Sequence, residues 1–294
     1  MSEPARSHAQ DAPPPDTAAA AEASEPRGVA LADVVGYLDS YLRIRDVPDE
    51  ANAVNGLEVE NAGRIGYVVA AVDASQAALD EVVRGWTAAR TSGDDPRAAP
   101  PLVIVHHGLF WDGNLPVTGR RYRRLRTLLD HDIALYAAHI PLDVHPEVGN
   151  NVVLARRLGV GVDGWLGPYK GVPLGVHGPV SAGPVPREAF VERLDVLLDT
   201  RSLLVPGGPE TIERVAIITG AGSRALQEAR ELGCDTFVTG EGPHHTFHDA
   251  MELGINLIYA GHYATEQVGV QALAEHLGLT FQVPWEFHWH PTGL

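Results

Sequence analysis

The chain has 294 residues, hydrophobic residues make up 45% of it, and its formal net charge at pH 7 is −16. That length favours two compact domains, and the acidity argues against nonspecific nucleic acid binding, which depends on clustered Lys and Arg. One cysteine, Cys234, excludes an intrachain disulfide and a thiolate zinc cluster, and no apolar run nears the ~20 residues of a membrane span.

Residues 1–27 are rich in Ala, Pro, Ser and charge, with no large aliphatic residue after Met1. They read as a disordered tail that lacks the apolar core of a signal peptide, so a cytoplasmic protein is expected. LADVVGYLDSYL (31–42) has helical spacing. GYVVAAVD (66–73) reads as a buried strand, with Ser75 as N-cap of the helix that follows. TSGDDPRAAP (91–100) reads as a loop. Then come the strand PLVIV (101–105), a helix over GRRYRRLR (119–126), and the strand IALYAA (133–138). Five arginines in that helix suit a solvated or subunit-contacting face better than capture of an anionic partner.

NNVVLARRLG (150–159) reads as a short helix. From 159 to 186 Gly and Pro are dense, which suggests a domain crossing and an irregular strand. PREAFVERLDVLLDT (186–200) starts with Pro186 in the first turn and carries an apolar stripe of Phe190, Val191, Leu194, Leu197 and Leu198. Residues 214–233 and 235–254 form a weak repeat of strand, Thr-Gly-x-Gly, helix and Glu-Leu-Gly. Such βα units build parallel sheet, and Gly233 and Gly254 read as helix C-caps. INLIYA (255–260) is a further strand, and the last helix is expected from about Thr265 to Leu277. The fold class is therefore α/β: two α/β domains with mostly parallel mixed sheets. The expected division is the tail at 1–27, a first domain over 28–145 plus 245–294, and a second over 146–244.

Five residues in three separated segments suggest one metal site: His106 and His107, Asp143, and His262 with Glu266. Each group lies just past a β-prone run, and loops at the carboxyl ends of parallel strands meet around one crevice, here placed in the interdomain cleft. Three imidazoles and two carboxylates exceed the needs of one four-coordinate ion and suit two ions sharing a carboxylate and a water. His262 and Glu266, four apart, share one helix face if a helix starts near 262. Glu266 is then the expected bridge and the catalytic carboxylate. His139 is ranked as an orienting group and His245 as a pocket residue. Ligands of this kind suit Zn, Mn, Fe, Co or Ni. A bridging water on such ions would be largely ionised near neutral pH, which predicts hydrolysis of a phosphoester, amidine-like ring carbon or amide. TGAG (219–222) and TGEG (239–242) could cradle phosphate but lack a full dinucleotide or P-loop pattern, so tight turns are preferred. FHWHP (287–291) adds histidines that could line a pocket or face solvent.

Taken in order, VIVHHGLFW, AAHIPLDVHPEVGNN, CDTFVTGEGPHH and AGHYATE resemble the NGG-interacting-factor-three-like family, whose members carry the name GTP cyclohydrolase 1 type 2. The resemblance covers about residues 29–294. It implies two metal ions held by His106, His107, Asp143, His262 and a bridging Glu266, a two-domain α/β fold, and a homohexameric ring with the sites facing an inner cavity. It also implies a small-molecule substrate, with a nucleotide such as GTP or another phosphorylated heterocycle foremost. The chain departs from the family at VNGLEVEN (54–61), where Glu58 replaces an amide, and at Ile140–Pro141, where Thr-Asn is usual. Both departures bear on the substrate pocket rather than the ligands. A noncatalytic metal-binding, ring-forming scaffold or regulatory protein is the rival reading, and a mononuclear zinc hydrolase the third.

Overall fold

The computed structural model describes Met1, residues 28–91 and residues 96–294; the expected disordered tail beyond Met1 and the middle of the expected 91–100 loop lie outside the described residues. Two sheets organise the chain. The first runs Trp285–Phe287, Tyr67–Asp73, Pro101–His107, Ala134–Ala137 and Gly56–Val59 in spatial order. Its first three pairings are parallel and the last is antiparallel. The strand Tyr67–Asp73 is apolar throughout except at its end, because both faces of a central parallel strand are covered. Val68, Ala70, Ile104 and Tyr136 pack with Val34 and Leu38 of the helix Leu31–Tyr41. Their strand neighbours Val69, Ala71, Val103 and Val105 face the other way, onto Leu79, Val82 and Trp86 of the helix Gln76–Thr91. Ser75 Oγ accepts from the Ala78 amide at 3.2 Å, the capping bond that its position predicts.

The second sheet runs Leu203–Pro206, Asn256–Tyr259, Thr236–Thr239, Arg214–Ile218, Val172–Pro179 and Gly164–Tyr169. Its three central strands pair in parallel and the outer pairings are antiparallel, so the sheet is mixed. The Gly/Pro-dense stretch forms a hairpin, Gly164–Tyr169 with Val172–Pro179. Lys170 and Gly171, both at positive φ (48° and 85°), make the turn, the conformation of tight two-residue hairpin loops. The repeated units stand side by side as the parallel strands Arg214–Ile218 and Thr236–Thr239. Gly254 closes the helix Thr246–Leu253 in the left-handed conformation, as its position suggests.

The last helix runs His262–Phe281, longer at both ends than its apolar stripe suggests. It buries residues on two sides. Val270, Leu273, Ala274 and Leu277 enter the core of the first sheet, while Ala264 and Val268 enter that of the second. A fully buried Leu or Val contributes roughly 1.5–3 kcal/mol, so this helix is a substantial bond between the two halves. Because Thr246–Leu253 and Asn256–Tyr259 belong with the second sheet, we propose that the chain returns to the first unit at Gly261 rather than near residue 245. Among the described residues no helix is long and apolar enough to cross a membrane.

Candidate metal centre

The carboxyl end of the strand Pro101–His107 delivers two histidines to the junction of the sheets. His106 is fully buried, and its Nδ1 lies 2.9 Å from the Ala138 carbonyl. That contact leaves Nε2 facing inward, 3.6 Å from Asp143 Oδ2 and 3.5 Å from Glu266 Oε1. His107 Nδ1 bonds Asp73 Oδ1 at 2.9 Å, and its Nε2 stands 3.5 Å from Glu266 Oε2. His262, the first residue of its helix, bonds Glu241 Oε1 through Nδ1 at 2.8 Å and places Nε2 3.2 Å from Glu266 Oε2. The two oxygens of Glu266 therefore face different partners: Oε1 faces His106, and Oε2 faces His107 and His262.

These separations suit coordination better than hydrogen bonding. Ligand atoms held about 2.0–2.1 Å from one tetrahedral ion stand about 3.3–3.4 Å apart. His106 Nε2 and Glu266 Oε2 are also buried without a hydrogen-bond partner among the described residues. Buried polar atoms are rarely left so, and a bound cation resolves both at once. His107, His262 and Glu266 bring one ligand atom each within 4.8 Å of one another, as do His106, His107 and His139. The donors are imidazole and carboxylate, a set suited to divalent first-row transition ions.

The buried carboxylates and imidazoles of the cluster shift one another's protonation. Burial pulls the His106 imidazole down, yet Asp143 and Glu266 outweigh it and push it up to about 10. His262, held down by burial, is likewise raised to about 9 by Glu266 and then Glu241. Burial raises the Asp143 carboxyl despite the opposing pull of His106. Burial would also raise Glu266, but His106 and His107 overcome it and hold this carboxyl well below the usual range.

The local sequence explains why these side chains hold still. Asp143 ends the short helix Ile140–Asp143 and accepts from Asn150 Nδ2 at 2.8 Å, while Asn150 Oδ1 accepts from the Gly269 amide at 2.7 Å. One fully buried amide thus ties a candidate ligand to the shared helix. The two Thr-Gly turns interlock beneath it. The Gly220 carbonyl accepts from the Gly240 amide at 2.8 Å, and the Gly220 amide donates to Thr265 Oγ1 at 3.0 Å. Gly220, at φ +64°, backs directly onto Glu266, and a β-carbon on Gly240 would meet the His262 Cα. These glycines are tight turns, and the reason is the close approach of the helix start.

His106, His107, Asp143, His262 and Glu266, scattered in sequence, converge in the fold. His139 joins them: its Nδ1 is tied to Asp49 Oδ1 at 2.8 Å, and its ring centre lies 4.9 Å from that of His106. Its ring thus lies beside the candidate ligands, where it can orient them or offer its second nitrogen. His245 stands apart on the rim of the adjoining cavity, its side chain 70% exposed and 3.9 Å from Asp249. The three carboxylates that hold the outer nitrogens, Asp73, Asp49 and Glu241, are not among the residues that the sequence singles out. For Asp73 a signal existed, since it ends the strand beside His107 and pairs with it in register. Most of the arginine helix is engaged locally: Arg120 pairs with Asp112, Arg126 with Asp130, and Arg121 caps the Gly113 and Leu115 carbonyls.

Above the cluster opens a cavity of about 1760 Å³, lined among others by Trp111, Arg124, His139, Arg224 and Glu241. Trp111 presents its ring edge-on to His139 at 4.7 Å. Burial pushes the nearby Glu58 carboxyl up to about 7, against the pull of the Leu109 amide it accepts from at 2.7 Å.

Residues 29–292 match the family model described as Duf34/NIF3 (NGG1p interacting factor 3). A Deinococcus radiodurans protein named GTP cyclohydrolase 1 type 2 homolog is 42% identical over 266 residues, covering 89% of this chain and 94% of that protein. A Pseudomonas aeruginosa protein of the same name is 41% identical, covering 87% of this chain and 95% of its own length. Among solved structures, TTHA1606 from Thermus thermophilus superposes with a TM-score of 0.77 at 41% identity, covering 90% of this chain and 100% of that one.

Proposed function

The chain belongs to the Duf34/NIF3 family, and from that premise we propose that it is a dinuclear metal-dependent hydrolase acting on a nucleotide or phosphorylated heterocycle. The observation that carries this reading is the split of Glu266, whose two buried oxygens each face a different set of imidazoles. One ion would be held by His106, Asp143 and Glu266, with His139 alongside; the other by His107, His262 and Glu266. Zn, Mn, Fe, Co and Ni all suit this donor set. Such ions, when bound, act as Lewis acids and lower the pKa of a water ligand.

The chain's own residues do the rest. Asp73, Asp49 and Glu241 fix the tautomer and direction of His107, His139 and His262. Glu266 links the two positions and keeps them in register. Arg124 and Arg224 supply positive charge in the cavity wall for a phosphate, and Trp111 offers an aromatic plane for a heterocycle. The name of the curated relatives points to GTP as the first compound to try. The family resemblance also implies a homohexameric ring, and light scattering on the purified chain would check the assembly.

The test is Glu266→Gln in the metal-replete protein, assayed against GTP and related phosphorylated heterocycles. Glutamine keeps the size but cannot link two cations as a carboxylate does. The expected result is loss of turnover and of one ion per chain, with the fold retained. Unchanged turnover, or a wild-type protein that holds two ions and hydrolyses none of these compounds, would overturn the reading.

A further inference from the structure

The far edge of the first sheet carries a second group of metal-ligand types that the dinuclear centre does not use. The strand Trp285–Phe287 pairs in parallel with Tyr67–Asp73, and the His288 amide continues the ladder onto the Ala70 carbonyl at 2.9 Å. Alternate residues of such a segment face opposite sides. Phe287 packs against the core on the side of the shared helix, and Trp289 meets Tyr263 edge-on at 5.4 Å. Glu286, His288 and His290 point the other way. There His290 meets Glu81 of the helix Gln76–Thr91, and Glu286 lies against Gly85 of the same helix.

We propose that His288, His290 and Glu81 form a second, mononuclear metal site that takes a divalent first-row transition ion of the zinc class. The three offer one ligand atom each within 4.8 Å of one another. His288 is 7% exposed. Its Nε2 is tied to Glu286 Oε1 at 3.1 Å, and Glu286 is itself braced by Arg97 at 3.5 Å. That carboxylate fixes the proton on Nε2 and leaves the Nδ1 lone pair as the available donor. His288 Nδ1 is buried and has no hydrogen-bond partner among the described residues. His290 Nε2 shares that condition: it stands 2.8 Å from Glu81 Oε2 yet outside hydrogen-bonding geometry. The carboxylate of Glu81 is partly exposed, which leaves open positions on the solvent side.

Two imidazoles and one carboxylate bind zinc, iron, cobalt, nickel or copper in preference to magnesium or calcium. The site draws on none of the residues of the dinuclear centre, so it stands or falls separately from the function proposed above. Full-length protein stripped with chelator, then dialysed against zinc, gives the measurement. His290→Ala and Glu81→Gln should each hold one zinc ion fewer per chain than the parent, with unchanged circular dichroism. Both substituted side chains reach solvent, so the fold should tolerate their change. Cobalt in place of zinc should give visible bands that both variants weaken. His107→Ala, run beside them, should lose ions from the main cluster while keeping the decrement caused by a second change, His290→Ala. Equal zinc content in the parent, His290→Ala and Glu81→Gln would overturn the proposal.

Discussion

Glu266 Oε1 occupies the space that a side chain on Gly220 would need. The turn residue follows a strand of the second sheet and the carboxylate sits on the helix shared by both cores, and each sets the position of the other. Gly220→Ala would add a β-carbon at φ +64°, a conformation that disfavours an L residue by about 1–2 kcal/mol, and would push Glu266 off its line. The expected outcome is a modest fall in Tm with a loss of metal affinity of about 10-fold or more. Calorimetry and chelator competition check it; metal affinity equal to the parent's would separate the turn from the cluster.

The carboxylates behind the histidines should matter in order of burial. The side chain of Asp49 is 5% exposed, that of Asp73 37% and that of Glu241 53%. Outer partners of this kind typically govern about 10–100-fold in metal affinity, and solvent replaces an exposed one more readily. Asp49→Asn should therefore weaken binding most and Glu241→Gln least, measured by competition with a coloured chelator. The reverse order would mean that His139 is not a ligand.

Asn150 holds Asp143 with its amide nitrogen and the Gly269 amide with its oxygen, and all of this is buried. Asn150→Ala strands both partners. Buried groups left unsatisfied cost about 1–3 kcal/mol each, so a destabilisation of about 2–4 kcal/mol is expected in urea unfolding. Metal content should fall with it, since Asp143 loses its guide. A loss of less than about 1 kcal/mol would show that water can replace the amide.

Glu58 predicts a pH dependence. Its carboxyl is raised from 4.5 to about 7, chiefly by burial. The folded protein therefore binds a proton that the unfolded chain releases, and stability falls as pH rises from about 4.5 to about 7. Above that window the penalty is complete, on the order of 3 kcal/mol; below it the penalty vanishes. Glu58→Gln should stabilise the protein at about pH 8 and have little effect near pH 4, as read by denaturant midpoints. A pH-independent difference between the two proteins would reject the assignment.

Much of this site was visible in the sequence because metal ligands are chemically distinctive. His106, His107, His262 and Glu266 follow apolar strand runs, and the i, i+4 spacing of the last pair foretells a common helix face. The residues that escaped are those defined only by a neighbour. Asp49 and Glu241 become significant when folding sets them against His139 and His262, which lie 90 and 21 positions away. The second sheet was legible in its repeated βα units, where local pattern and pairing agree. Its hairpin was hidden because glycine and proline mark turns without saying which flanking residues pair. The final histidines read only as pocket or surface residues until strand alternation put both on the side of Glu81.

The helix that starts at His262 roots itself in both hydrophobic cores. Its first turn carries two donors of the cluster, while the opposing donors come from the end of the strand Pro101–His107 and from Asp143. Cations seated there would act as a clasp. Withdrawing them should loosen the seam along its whole length, so amide exchange would quicken in segments that never touch an ion.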